Sequence, residues 1–141
     1  MEERDRVEKH PLRSGSVCMR HRCVECCIGT RMPLSRSDIS RILKMDYKFK
    51  DFAARTEEGW RLRNRSGRCV FLSEKGCRIY TQRPEGCQLY PLVYDEASHK
   101  AVLDHLCPHS HEFQPTEKEM KELMILLDDL ATDRGSERPD L

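Results

Sequence analysis

Eight cysteines, Cys18, Cys23, Cys26, Cys27, Cys69, Cys77, Cys87 and Cys107, are spread along a chain of 141 residues, and no other feature limits its fold as much. The length suits one domain. The interior is thinly supplied, because only 29 residues are Val, Ile, Leu or Phe. That share lies near the boundary where disorder is usually expected. The charge balance argues for folding instead, with 25 Lys plus Arg against 24 Asp plus Glu. A thin core benefits from a staple, and cysteines can provide one through metal or through disulfides.

Compartment decides between those two. Met1 to Leu12 is charged and has no apolar stretch of the kind a secretory signal needs. No segment is apolar over the length that spans a bilayer. The expectation is therefore a cytoplasmic protein without a membrane partner, in which thiols stay reduced. Metal then ranks ahead of disulfides, with unrelated buried thiols last. The formal net charge of +1 gives no reason to expect nucleic acid as a partner.

The spacing points the same way. Cys23-Val24-Glu25-Cys26 is a C-x-x-C knuckle, which lets two thiolates meet one ion while nearby amides point at the sulfurs. Cys26 and Cys27 are adjacent, and in extended backbone their side chains face opposite ways. On that reading Cys26 joins Cys23, while Cys27 serves a second metal, bridges two, or packs as a small apolar residue. Gly67, Gly76 and Gly86 each lie one or two residues before a cysteine, where glycine permits backbone angles that aim amides at a sulfur. Arg78 and Arg83 are candidate partners for the thiolates. His105, Cys107, His109 and His111 alternate and would share one face of an extended strand, although Pro108 weakens that strand. His21 lies between Cys18 and Cys23. Mixed thiolate–imidazole ligation would favour zinc. All eight cysteines are the candidate metal ligands. Zinc and an iron–sulfur cluster both remain open, since four thiolates leave a charge of about −2 on either a zinc ion or an oxidised 4Fe–4S core.

Around these cysteines the local signals predict an α+β fold: a small, irregular, metal-stapled domain. Residues 1–16 form a polar leader, 17–132 the cysteine-cluster domain and 133–141 a flexible tail. Leu34-Ser35 with Asp38 and Ile39 carries a capping box and a hydrophobic staple, so a helix follows the first cysteine cluster. Its apolar positions are Ile39, Ile42, Leu43 and Tyr47. A second helical turn around Phe49 and Phe52 ends near Thr56. Trp60 to Arg63 and Cys69 to Leu72 suggest a hairpin about Asn64-Arg65-Ser66-Gly67, with another tight turn at Glu74-Lys75-Gly76. A helical turn starts at Arg83-Pro84 and ends before Pro91. Leu92–Tyr94 and Ala101–Leu103 form a second hairpin. Thr116 with Glu119 caps a C-terminal amphipathic helix with the stripe Met120, Leu123, Met124, Leu127, Leu130 and Ala131. That stripe is core by default, with a protein partner as the alternative.

The ordered segments Cys23-x-x-Cys26-Cys27, Cys69-Val70-Phe71-Leu72, Cys77-Arg78-Ile79-Tyr80, Arg83-Pro84-x-x-Cys87 and Tyr90-Pro91 resemble the YkgJ-type cysteine-cluster family over about residues 18–107. The resemblance implies chelation of zinc or iron. Members carry a denser lead, C-x-x-C-x-x-C-C, whereas four residues separate Cys18 from Cys23 here. They also carry an arginine before the Tyr-Pro pair, where this chain has Gln88. The leading functional expectation is a metal-binding module with a redox, carrier or scaffold role. Two alternatives stand beside it. A protein-modifying enzyme would use Tyr80, Tyr90 and Tyr94 near the cluster. A zinc-stabilised nucleic-acid binder would track phosphates with Arg61, Arg63, Arg65 and Arg68 beside Trp60.

Overall fold

The computed structural model describes residues 9–12 and 25–133. Helices and short antiparallel hairpins alternate along the chain, which is the α+β organisation the sequence predicts. Cys18, Cys23 and His21 lie outside the described residues, as does most of the expected leader and tail.

The helix after the first cysteines, α1 (Arg36–Leu43), starts as its capping box requires. Ser35 Oγ accepts from the Asp38 amide, and Asp38 Oδ2 accepts from the Ser35 amide, both at 3.1 Å. Leu34 and Ile39 are buried on either side of the cap. The helix stops at Leu43, with Asp46 in the left-handed region, so Tyr47 lies beyond it. Tyr47 instead meets the edge of Phe71, their ring centroids 4.9 Å apart.

The second helical turn, α2 (Phe49–Phe52), is shorter than expected. The following residues form strand β1 (Ala53–Thr56), which pairs antiparallel with β2 (Gly59–Leu62). The partner of the Trp60 strand is thus the segment just before it, not the Cys69 run. Phe52 drives this choice, because it is wholly buried and the chain must leave the helix extended to keep Ala53 and Leu62 inside. A strap made by residues 32–34 lines the other side of β2, with the Leu34 amide donating to the Trp60 carbonyl and the Leu62 amide to the Met32 carbonyl.

Two very short hairpins follow, β3 (Asn64–Arg65) with β4 (Arg68–Cys69), and β5 (Leu72–Ser73) with β6 (Gly76–Cys77). Their turns use Gly67 and Gly76, both at positive φ, where a side chain would be strained. The short helix α3 (Glu85–Leu89) then leads through Tyr90-Pro91 into β7 (Leu92–Asp95), paired with β8 (Lys100–Leu103) as the sequence predicts.

The last helix, α4 (Glu117–Asp133), is capped by Thr116 and Glu119, whose side chains each accept the other's amide at 3.0 Å. Its buried face is Glu119, Leu123 and Leu126, flanked by Leu127 and Leu130. Met120, Met124 and Ala131 of the expected stripe are exposed. The helix is rolled because Glu119 is held inward, its Oε1 also accepting the amide of buried Leu12 at 3.2 Å. Residues 9–12 are tied there again by the His10 amide, which donates to the Glu112 carbonyl. No described helix is long and apolar enough to cross a membrane.

The core falls into two clusters. The first gathers Leu34, Ile39, Ile42, Phe52, Leu62, Phe71 and Ile79, together with Cys69. The second gathers Leu12, Leu89, Leu92, Phe113, Leu123 and Leu126, together with Cys107. Phe52 is the hub of the first, with Phe49 and Phe71 rings 5.9 and 6.0 Å away. Phe52→Ala is expected to cost about 3–5 kcal/mol in urea unfolding, the usual range for a buried phenylalanine. A loss under about 1 kcal/mol would show that this cluster collapses around the gap.

Candidate metal centre

The thiols are brought together by turns rather than by long elements. Cys26 and Cys27 lie in a 3-10 turn, Glu25–Cys27, and not in extended backbone. The expectation of opposite faces therefore fails: the turn lets the two side chains hydrogen-bond to each other. Cys69 and Cys77 each end the second strand of a two-residue hairpin. Cys87 sits in the middle of α3. Cys27, Cys77 and Cys87 pack against the first core cluster, and Cys69 is part of it. Cys27, Cys69, Cys77 and Cys87 stand as unbridged thiols.

Electrostatics shows that these sulfurs share one neighbourhood. Burial pushes the Cys87 thiol well above its ordinary range, and the fields of Cys26, Cys69 and Cys77 push it further. Burial also raises Cys69 and Cys77, again with Cys26 acting on both. Cys27 is raised first by its hydrogen bond with Cys26, then by burial, then by the fields of Cys26, Cys69 and Cys77. The fields of Cys26, Cys69 and Cys77 thus converge on Cys27 and Cys87 and make ionisation there harder.

Three groups oppose that trend. The Phe71 amide donates to Cys69 and the Ile79 amide to Cys77, in each case from two residues further along. Such bonds favour the thiolate. The donors are not the amides that the glycines were expected to aim. They are set by a repeated Cys-x-apolar pattern, because Phe71 and Ile79 are both buried and anchor their own backbone. That repeat was present in the sequence as Cys69-Val70-Phe71 and Cys77-Arg78-Ile79. Gly86 has a different use, since a Cβ there would overlap the Met32 sulfur.

The third opposing group is Arg83, whose charge lowers both Cys77 and Cys87. Its guanidinium lies over the Tyr80 ring at 4.0 Å and donates to the carbonyls of Tyr80 and Cys87, at 2.9 and 3.4 Å. Arg78 does not join it. Its amide donates to the Phe71 carbonyl.

The remaining sequence candidates are placed elsewhere. Cys107 is buried in the second core. Tyr90 lies within electrostatic reach of both Cys107 and Cys26, and its hydroxyl donates to Asp104 Oδ2 at 2.7 Å. Burial first, and that bond second, raise the phenol above its usual range. The histidines do not share a strand face. Residues 105–112 form turns and a short 3-10 helix, in which His109 Nδ1 and His111 Nε2 approach Glu112 Oε2 at 3.5 and 3.9 Å. His105 and His99 are exposed. The arginine ribbon is also altered. Arg55, not Arg61, covers Trp60, while Arg63 donates back to the Ala53 carbonyl.

Among the described residues, no three Cys, His, Asp or Glu side chains stand at the spacing one ion requires. The donor set nevertheless suits a thiophilic cation: sulfurs from separate segments, amides at two of them, and one arginine that meets only part of the charge.

A family model described as "Putative zinc- or iron-chelating domain", CxxCxxCC, matches residues 17–108. No curated protein matches the chain. No solved structure matches it.

Proposed function

We propose that this chain, which belongs to the CxxCxxCC family of zinc- or iron-chelating domains, holds a zinc ion or an iron–sulfur cluster in a cytoplasmic redox, carrier or scaffold role. Cys26, Cys69, Cys77 and Cys87 form the inner set. Cys18, Cys23, Cys27 and Cys107 are further ligands or reserve thiols. The observation that supports this is the convergence of Cys26, Cys69 and Cys77, from segments far apart in the chain, on Cys87, whose proton affinity all three raise. A bound cation removes that repulsion. When loaded, zinc would supply structural cross-linking, and a cluster would supply electron transfer as well. The residues of this chain supply the amides of Phe71 and Ile79 and the charge of Arg83, which favour the ionised form against the larger effect of burial.

Anaerobic purification followed by an absorption spectrum, elemental analysis and acid-labile sulfide assay tests the reading. Brown protein with iron and sulfide selects a cluster, and colourless protein with stoichiometric zinc selects the ion. Protein that carries neither, and takes up neither, overturns the proposal. Binding also displaces protons, because thiols with raised pKa are fully protonated at neutral pH. A zinc titration at pH 7 in weak buffer is therefore expected to acidify the solution by about one proton per ligating thiol. The affinity should weaken as pH falls.

A further inference from the structure

The first helix does more than begin at a capping box. Asp38 is wholly buried. Its Oδ2 serves the cap, but Oδ1 accepts from two other donors, the Glu85 amide at 2.9 Å and Arg41 Nη2 at 3.0 Å. Glu85 is 47 positions away in the sequence. Arg41 Nη2 also donates to the Arg83 carbonyl at 2.7 Å. One carboxylate and one guanidinium on α1 thus grip both sides of Pro84, itself almost completely buried. Pro84 has no N–H of its own, so the grip falls on its two neighbours.

What they grip is the loop that delivers the metal site. Arg83 carries the cation that acts on Cys77 and Cys87. Cys87 follows Pro84 by three residues. A second bond reinforces the hold, since Gln88 Nε2 donates to the same Arg83 carbonyl at 2.8 Å. Capping alone would need only the Oδ2 contact, and a buried carboxylate is costly unless its other oxygen is used as well. The use found for it is the Arg83–Cys87 segment.

We propose that Asp38 and Arg41 are positioning residues for the metal centre, which fix the Arg83–Cys87 loop so that the Cys87 sulfur and the Arg83 charge are presented together. This rests on the reading of the cysteines as metal ligands. Among the described residues their bonds go to the backbone of residues 83 and 85 and not to a sulfur.

The test compares D38N, R41Q and S35A with the wild type, each purified anaerobically with the metal it carries. The D38N change sets an amide group against a backbone donor, so one grip is lost while the side chain keeps its shape. S35A removes the cap bond and leaves the Glu85 contact in place. Transfer of the bound metal to a chromophoric chelator is expected to become about 10–100-fold more favourable in D38N, the usual range for loss of a group that orients a ligand. R41Q should move the same way by less, and it covers the case in which D38N does not fold. S35A should lower the melting temperature without changing metal affinity. Metal held by both D38N and R41Q as tightly as by the wild type would overturn the proposal and leave the pair a purely structural clamp. Alkylation of Cys87, measured by mass spectrometry on the native chain, separates the two ideas. Should the wild type carry no metal, the metal reading fails, yet faster Cys87 alkylation in D38N than in S35A still supports the clamp, and equal rates sink it.

Discussion

Removing the metal under reducing, anaerobic conditions is expected to abolish the cooperative thermal transition of this chain. The reason lies in how the first core cluster is built. Its buried members include Cys69, and Cys27, Cys77 and Cys87 pack directly against it. The hairpins that carry Cys69 and Cys77 have only two residues per strand, far too short to be stable alone. Structural zinc contributes an apparent ~10–16 kcal/mol in small cysteine sites. That rivals the whole net stability of an ordinary domain, about 5–15 kcal/mol. Far-ultraviolet circular dichroism against temperature, before and after chelation, checks this. An unchanged melting curve in protein shown by elemental analysis to be metal-free would mean that the apolar clusters suffice.

The second large effect is expected at Cys87. Cys87→Ser should lose the bound metal, whereas Cys27→Ser should keep most of it. The fields of Cys26, Cys69 and Cys77 all reach Cys87, and its burial is the main cause of its raised pKa. It is also the thiol on the clamped segment behind Pro84. Serine there removes a ligand and leaves a buried hydroxyl in its place. Cys27 lies under the same three fields, but the strongest influence on it is the hydrogen bond with its chain neighbour Cys26. Elemental analysis of the two variants decides the matter. A Cys87→Ser protein with wild-type metal content would place the centre elsewhere, around Cys18, Cys23 and Cys107.

How far the sequence could be read depended on the range of each interaction. Both capping boxes, Ser35 with Asp38 and Thr116 with Glu119, were legible because a box closes within four residues. The Leu92–Leu103 hairpin was legible because its two apolar runs flank one turn. The partner of Trp60 was not, because residues 53–56 read as the end of a helical turn, and the strand they form shows only once Phe52 and Ala53 are seen buried. The roll of α4 was not, because a glutamate facing the core contradicts polarity, and its partner is the amide of Leu12. Clustering of cysteines was legible as chemistry. The 3-10 turn at Cys26-Cys27, the amides of Phe71 and Ile79 and the reach of Asp38 to Glu85 were not, since each depends on a contact or backbone angle that spacing alone does not encode.

The five residues of α3 sit at the junction of the two cores. Cys87 belongs to one and Leu89, completely buried, to the other. Two positions of a single helical turn therefore answer to different halves of the molecule. A displacement of the Cys87 backbone therefore bears on Leu89, which shares its core with Leu123 and Leu126 of α4, a helix that carries no cysteine.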